Sequence, residues 1–148
     1  MSKRFAFPLQ KALDWYRQSL AVEKASLQRI ISEIHTLDRL KESLERRQRT
    51  EYEQLHAGGA IVGKDLRGMA NYSALIRTDL ARLAAERMRQ EAALVEQRRK
   101  VGIQHRRVRV LEELELRRKA EWVRSVSVEE DALASELFLA GIAREVTT

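Results

Sequence analysis

Apolar residues recur along this chain with a seven-residue period, and the period holds for most of its length. From Leu9 to Leu55 one seam line reads Leu13, Leu20, Leu27, Ile34, Lys41, Gln48, Leu55. The second line reads Tyr16, Glu23, Ile30, Leu37, Leu44, Glu51. Nine of these thirteen positions are apolar or aromatic, and neither Gly nor Pro breaks the run. A spacing of three and four residues keeps such positions on one face of a helix, so the pattern predicts a continuous helical arm with a coiled-coil seam, roughly 70 Å long. Pro8 marks its start, because the missing N–H of proline costs nothing in a first helical turn.

A second arm begins near Leu66. One line of its seam is Met69, Ile76, Leu83, Gln90, Gln97, Gln104, Leu111, and the other is Ser73, Leu80, Arg87, Leu94, Val101, Val108, Glu115. Three glutamines at successive heptads make the middle of this seam half polar, which lowers stability but can define register. Gly102 weakens the helix there by about 1 kcal/mol relative to alanine. Between the arms stands HAGGAIVGKDLRG, with four of the six glycines. Two arms of similar length around a breaker-rich segment should fold back on each other. The expected architecture is all-α: a long two-helix antiparallel coiled-coil hairpin with a short C-terminal helix. As one domain over 1–148, it places arm one at 8–56, the turn at 57–65, arm two at 66–124 and an acidic helix at 129–145. If Leu55 lies opposite Leu66, Leu13 lies near Val108, and the second arm overshoots the first by about a dozen residues, near 18 Å. SVSV (125–128) is expected to interrupt the helix, and three acids suit the start of the next one.

Composition agrees with a narrow seam in place of a rounded core: 44% hydrophobic, 34% charged and 5% aromatic residues, with one proline. The absence of cysteine excludes disulfides and thiolate metal sites. MSKRFAFPLQ has no apolar stretch of the kind a secretory signal needs, and no run of about twenty apolar residues exists, so a cytosolic protein is expected. The net charge of +6 is unevenly placed. Residues 77–124 carry 14 basic and 8 acidic side chains, whereas 125–148 carry 1 and 5. A basic body with an acidic tail points to an anionic partner surface.

Residues 58–64 contain G-x-x-x-x-G-K, the spacing of a phosphate-cradling loop. That motif requires a buried strand before it and Ser or Thr after the lysine to hold magnesium. Here a charged helical segment, ERRQRTEYEQLH, precedes it, and Asp65 follows with the wrong charge for phosphate. The segment reads as a turn. His35, His56 and His105 have no ligand-type partner at helical spacing, and no nucleophile–base arrangement is suggested. No catalytic residue, metal site, cofactor or small-molecule substrate is therefore expected. The basic band RRKVGIQHRRVRV (98–110) could grip phosphates in a salt-dependent way, but its arginines wrap around the helix and no aromatic is present to stack on bases. A nucleic-acid partner is the weaker alternative to a protein-facing basic collar. Phe5, Phe7, Trp15 and Tyr16 hold half of the aromatic side chains within a dozen residues. They serve equally well as packing against the overshooting arm, with Trp122 joining, or as an exposed docking cluster.

RFAFPLQKALDWYR resembles the N-terminal signature of the FliJ family, the coiled-coil stalk of the flagellar type III export apparatus: Phe5, Phe7, Leu9 and Leu13 carry the likeness. EYEQL, a glycine-containing turn and NYSALIRTDL are similar to the family's hinge, where Tyr52 and Leu55 close one arm and Asn71, Tyr72, Leu75 and Ile76 open the other. EEDALASELFLAGIAR resembles its acidic end. The resemblance covers nearly the whole chain and extends to injectisome stalk proteins. It implies a non-enzymatic antiparallel coiled coil, similar to the rotor stalk of rotary ATPases, that enters and activates the hexameric export ATPase. It also implies contact with the cytoplasmic domain of the export gate and with export chaperones, and peripheral association with the inner membrane. On this resemblance Tyr52, Tyr72 and Leu75 would contact the gate, while Gln48 stands where the family often has an aromatic. The pore-facing end would be Phe5, Phe7, Leu9, Trp15 and Trp122, with residues 113–124. The alternatives are a nucleic-acid-binding basic arm and a generic dimerising tether in which Gln90, Gln97 and Gln104 select the partner.

Overall fold

A computed structural model of the chain describes residues 4–57 and 63–147. Two long helices account for nearly all of them, α1 (Gln10–Ala57) and α2 (Gly63–Thr147), packed antiparallel with no strand among the described residues. The expected hairpin is the observed fold. Residue contacts divide it into two compact units, a terminal one of Met1–Leu20 with Ile103–Thr148 and a central one of Ala21–Gly102.

The heptad pattern is reproduced position by position. Of the seam residues named above, all are buried or half-buried except Lys41. The terminal unit buries Phe7, Leu13, Leu20 and Val108; Leu13 is fully enclosed. The central unit buries Ile76 and the amide side chain Gln97. In so thin a seam each enclosed side chain weighs heavily, because packing of the apolar face carries most of a helix's stability.

α1 begins two residues after Pro8, so the proline stands in a turn before the helix and not within it. The Gln10 N–H donates to the Phe7 carbonyl (3.1 Å) and the Leu13 N–H to the Leu9 carbonyl (2.9 Å), which makes Leu9 the residue that opens the helix. The expected turn at 57–65 is shorter at both ends. Ala57 is still helical and α2 starts at Gly63, with Asp65 in its first turn, where a carboxylate offsets the positive end of the helix dipole. Residues 58–62, including Gly58 of the phosphate-loop spacing, lie outside the described residues. The segment ahead of them is helix, where a phosphate loop needs a strand.

The separate C-terminal helix is a correction. α2 runs from Gly63 through Thr147, and SVSV lies within it. Serine and valine each disfavour helix by only about half a kcal/mol, and neither removes a backbone donor, so propagation from both sides carries the helix across. The overshooting part of α2 is also partly met: Phe5 packs its ring on Trp122 with centroids 6.0 Å apart. Beyond Trp122, residues 123–147 are all exposed except Val126.

Polar side chains reach across the seam to partners that stand one, four and eight residues from those directly opposite in the expected register. Within the central unit Gln97 meets Glu23, where Arg98 was expected, and Arg87 meets Asp38, where Leu83 was expected. Within the terminal unit Arg17 donates to Glu112 at 3.1 Å. Long side chains select these pairings, which the apolar pattern alone does not encode.

Arg87 donates to Asp38 through Nε at 2.7 Å and through Nη2 at 3.5 Å, and it also pairs with Glu91. The hydrogen bonds from Arg87 hold the Asp38 carboxyl below the ordinary carboxylate range. A carboxylate with a depressed folded pKa contributes stability that is present above its unfolded pKa and lost as pH falls through the folded one. Acid titration from about pH 5 to 2 should therefore lower the unfolding midpoint of the native chain. Asp38→Asn should show a shallower loss over the same window; an unchanged slope would remove this pair as a contributor. Both side chains are well exposed, so the effect is modest.

Candidate functional site

The residues singled out in the sequence fall on two surfaces, one in each unit. In the terminal unit, Phe7 is 8% exposed and belongs to the core beside Leu13 and Leu20. Phe5 and Trp122 are half-buried against each other. Trp15 is 59% exposed and meets Tyr16 edge-on at 5.0 Å, while Leu9 is 42% exposed. The aromatic cluster thus does both jobs named above: the Phe5–Trp122 contact anchors the N-terminal segment on α2 and Phe7 is buried, while Trp15 and Leu9 face outward. The Arg107 guanidinium lies 5.8 Å from the Tyr16 ring centroid, a cation–π geometry.

In the central unit, Tyr52 and Leu75 are 62% and 58% exposed, and Tyr72 is half-buried. Tyr52 and Tyr72 line one groove of about 110 Å³ with Gln48, Met69 and Ile76. Tyr72 also lines a wider groove of about 370 Å³ with Arg46, Arg47, Thr50 and Gln54. The Tyr52 ring is held by His56, whose ring centroid is 4.2 Å away and whose Nδ1 lies 3.2 Å from the Tyr52 carbonyl oxygen. That oxygen accepts only from a protonated Nδ1. The helical offset of four residues stacks the two rings and restricts the tyrosine.

The basic groove around Arg46 and Arg47 escaped the sequence reading, although ERRQR held its signal. Of the band at 98–110, Arg99 is engaged by Glu96 at 2.7 Å and Arg107 by Tyr16, so these two do not stand as isolated phosphate grips. The hydrogen bonds from Arg99 likewise hold Glu96 below the ordinary carboxylate range. Among the described residues no group of three or more His, Asp or Glu side chains is placed to hold a metal. No helix among them is long and apolar enough to cross a membrane.

The polar seam has one well-made layer. The Gln97 side-chain amide donates to the Glu23 carbonyl oxygen at 2.9 Å and to the Glu23 carboxylate. Gln97, read as a selector of an outside partner, is instead used inside the hairpin. Gln104 is less well served, with Oε1 buried and no hydrogen-bond partner among the described residues. No family model, curated protein or solved structure matches the chain.

Proposed function

We propose that this chain is a stalk-type interaction protein of a type III protein export apparatus, with no chemistry of its own. In this role it inserts into and activates a hexameric export ATPase, and it bridges that ATPase to the export gate and to export chaperones. It would act at the cytoplasmic face of the inner membrane, held there through the apparatus. The observation that carries the reading is an antiparallel pair of long helices that presents Tyr52 and Leu75 to solvent at positions the FliJ resemblance marks, with Trp15 exposed near the end assigned to the pore. Exposed aromatic and leucine side chains on a stiff scaffold are what a docking surface needs, because their ordering cost on binding is small.

The test is a turnover assay. Purified chain should raise the ATP hydrolysis rate of the cognate hexamer several-fold, and Trp15→Ala should reduce that stimulation by roughly tenfold in half-maximal concentration. Tyr52→Ala with Leu75→Ala should abolish gate binding and leave the stimulation intact. Unchanged turnover together with no co-sedimentation would eliminate the stalk role.

A further inference from the structure

Seven residues line the groove of about 370 Å³ in the central unit, and six of them offer a hydrogen-bond donor. Ser43, Arg47, Thr50 and Gln54 follow at spacings of four, three and four residues, so they form a single line along α1. That line is about 16 Å long, the span of about five residues of extended peptide. Arg46 stands on one side of it, and Glu51 and Tyr72 of α2 stand on the other.

The chain itself makes little use of these donors. Arg47 is in no ion pair or hydrogen bond among the described residues, and Arg46 engages only the Glu42 carbonyl, through Nε at 3.4 Å. Thr36, Thr78 and Thr147 each donate to the carbonyl four residues earlier at 3.0 Å, the ordinary resting place of a helical threonine hydroxyl. Thr50 makes no such bond among the described residues, so its hydroxyl is left for the groove.

Two guanidinium groups among unengaged donors call for an anionic occupant, and their planar forks match carboxylates in bidentate pairs. Two features select a peptide over a phosphate polymer. Half-buried Glu51 can only accept hydrogen bonds, which the N–H groups of a peptide supply and a phosphate backbone does not. A charge at every repeat of such a backbone would also stand against Glu51. The smaller groove of about 110 Å³ adjoins the first, sharing Glu51 and Tyr72, and its Tyr52, Met69 and Ile76 offer an apolar seat. We infer that the Arg46–Arg47 groove docks an acidic peptide segment of a partner protein, with carboxylates on the two arginines and an aliphatic side chain in the cleft of Tyr52 and Met69. This names the chemistry of the partner proposed to meet Tyr52 and Tyr72, and to that extent rests on the stalk reading.

An end-capped heptapeptide of alternating aspartate and leucine, titrated into the isotope-labelled full chain and followed by NMR, tests the site. It should shift the amides of residues 43–54 and 69–76 saturably, and added salt should weaken the binding. The same peptide with asparagine for every aspartate should not bind. Arg47→Glu should raise the dissociation constant roughly tenfold, and Thr50→Val should raise it roughly threefold. Arg49→Glu makes the same charge change on the far face of α1, where Arg49 is exposed, and should alter binding by less than about twofold. An absence of shifts at those amides would overturn the proposal, as would equal losses from Arg47→Glu and Arg49→Glu. Tighter binding of a single-stranded oligonucleotide of equal charge would overturn it too, and assign the groove to nucleic acid. Because the peptide is read on the isolated chain, no binding with intact ATPase stimulation removes the docking site alone. Binding without stimulation removes the stalk role alone.

Discussion

Leu13→Ala should destabilise the chain by about 2–4 kcal/mol, the largest loss expected from any single truncation. Among the described residues Leu13 is the one large side chain with no exposure at all, and it lies in the unit that also buries Phe7, Leu20 and Val108. Removing its isobutyl group forfeits transfer free energy and leaves a cavity that long, stiff helices close poorly. A two-helix seam has no third layer to relax into the space. The matched control is Leu40→Ala: Leu40 is 49% exposed on the same helix, and the change should cost well under 1 kcal/mol. Urea unfolding reads both values. Hydrogen exchange should place the Leu13→Ala loss in the amides of residues 10–20 and 103–115. Equal destabilisation by the two substitutions would remove the seam as the source of stability.

The second large effect concerns the Gln97–Glu23 layer, and its sign depends on how many partners are removed. Gln97→Leu alone should destabilise by about 1–2 kcal/mol, because the Glu23 carboxylate and carbonyl oxygen lose their donor in a half-buried position. Replacing both, Glu23→Leu with Gln97→Leu, should restore stability to the native level or above, since two apolar residues at facing seam positions need no partner. The cost of the double change should appear in specificity. With this layer made apolar, one of the polar contacts that distinguish one heptad register from the next is gone. Broader inter-helix distance distributions between spin labels on α1 and α2 would report that loss. A double variant as unstable as the single one would mean that the layer acts by packing and not by polar pairing.

Both expectations bear on the proposed stalk role, because a helix pair that presents Tyr52 and Leu75 together in the central unit needs a defined register there. The Gln97–Glu23 layer supplies it at one point and the Arg87–Asp38 pair at another. Gln104, with its buried and unpartnered oxygen, marks where the seam is least committed. Gln104→Leu should accordingly be neutral or stabilising.

By itself the amino-acid sequence determined the two helices, their seam and their antiparallel packing. Those features follow from local periodicity: a side chain's place on a helix depends only on its spacing from its neighbours, and Leu13, Ile76 and Val108 lie buried where the heptads put them. The glycine-rich segment between the arms announced the reversal for the same reason. Only the tertiary structure decided which residues meet across the seam. Register depends on the reach of long side chains such as Arg87 and Gln97, and spacing along one helix carries no information about reach. It decided that α2 continues through SVSV, because cooperative propagation outweighs a few tenths of a kcal/mol at each residue. It also divided the N-terminal aromatics, burying Phe7 and leaving Trp15 in solvent. A large aromatic can serve either purpose, and only the presence of a neighbour such as Trp122 beside Phe5 selects one.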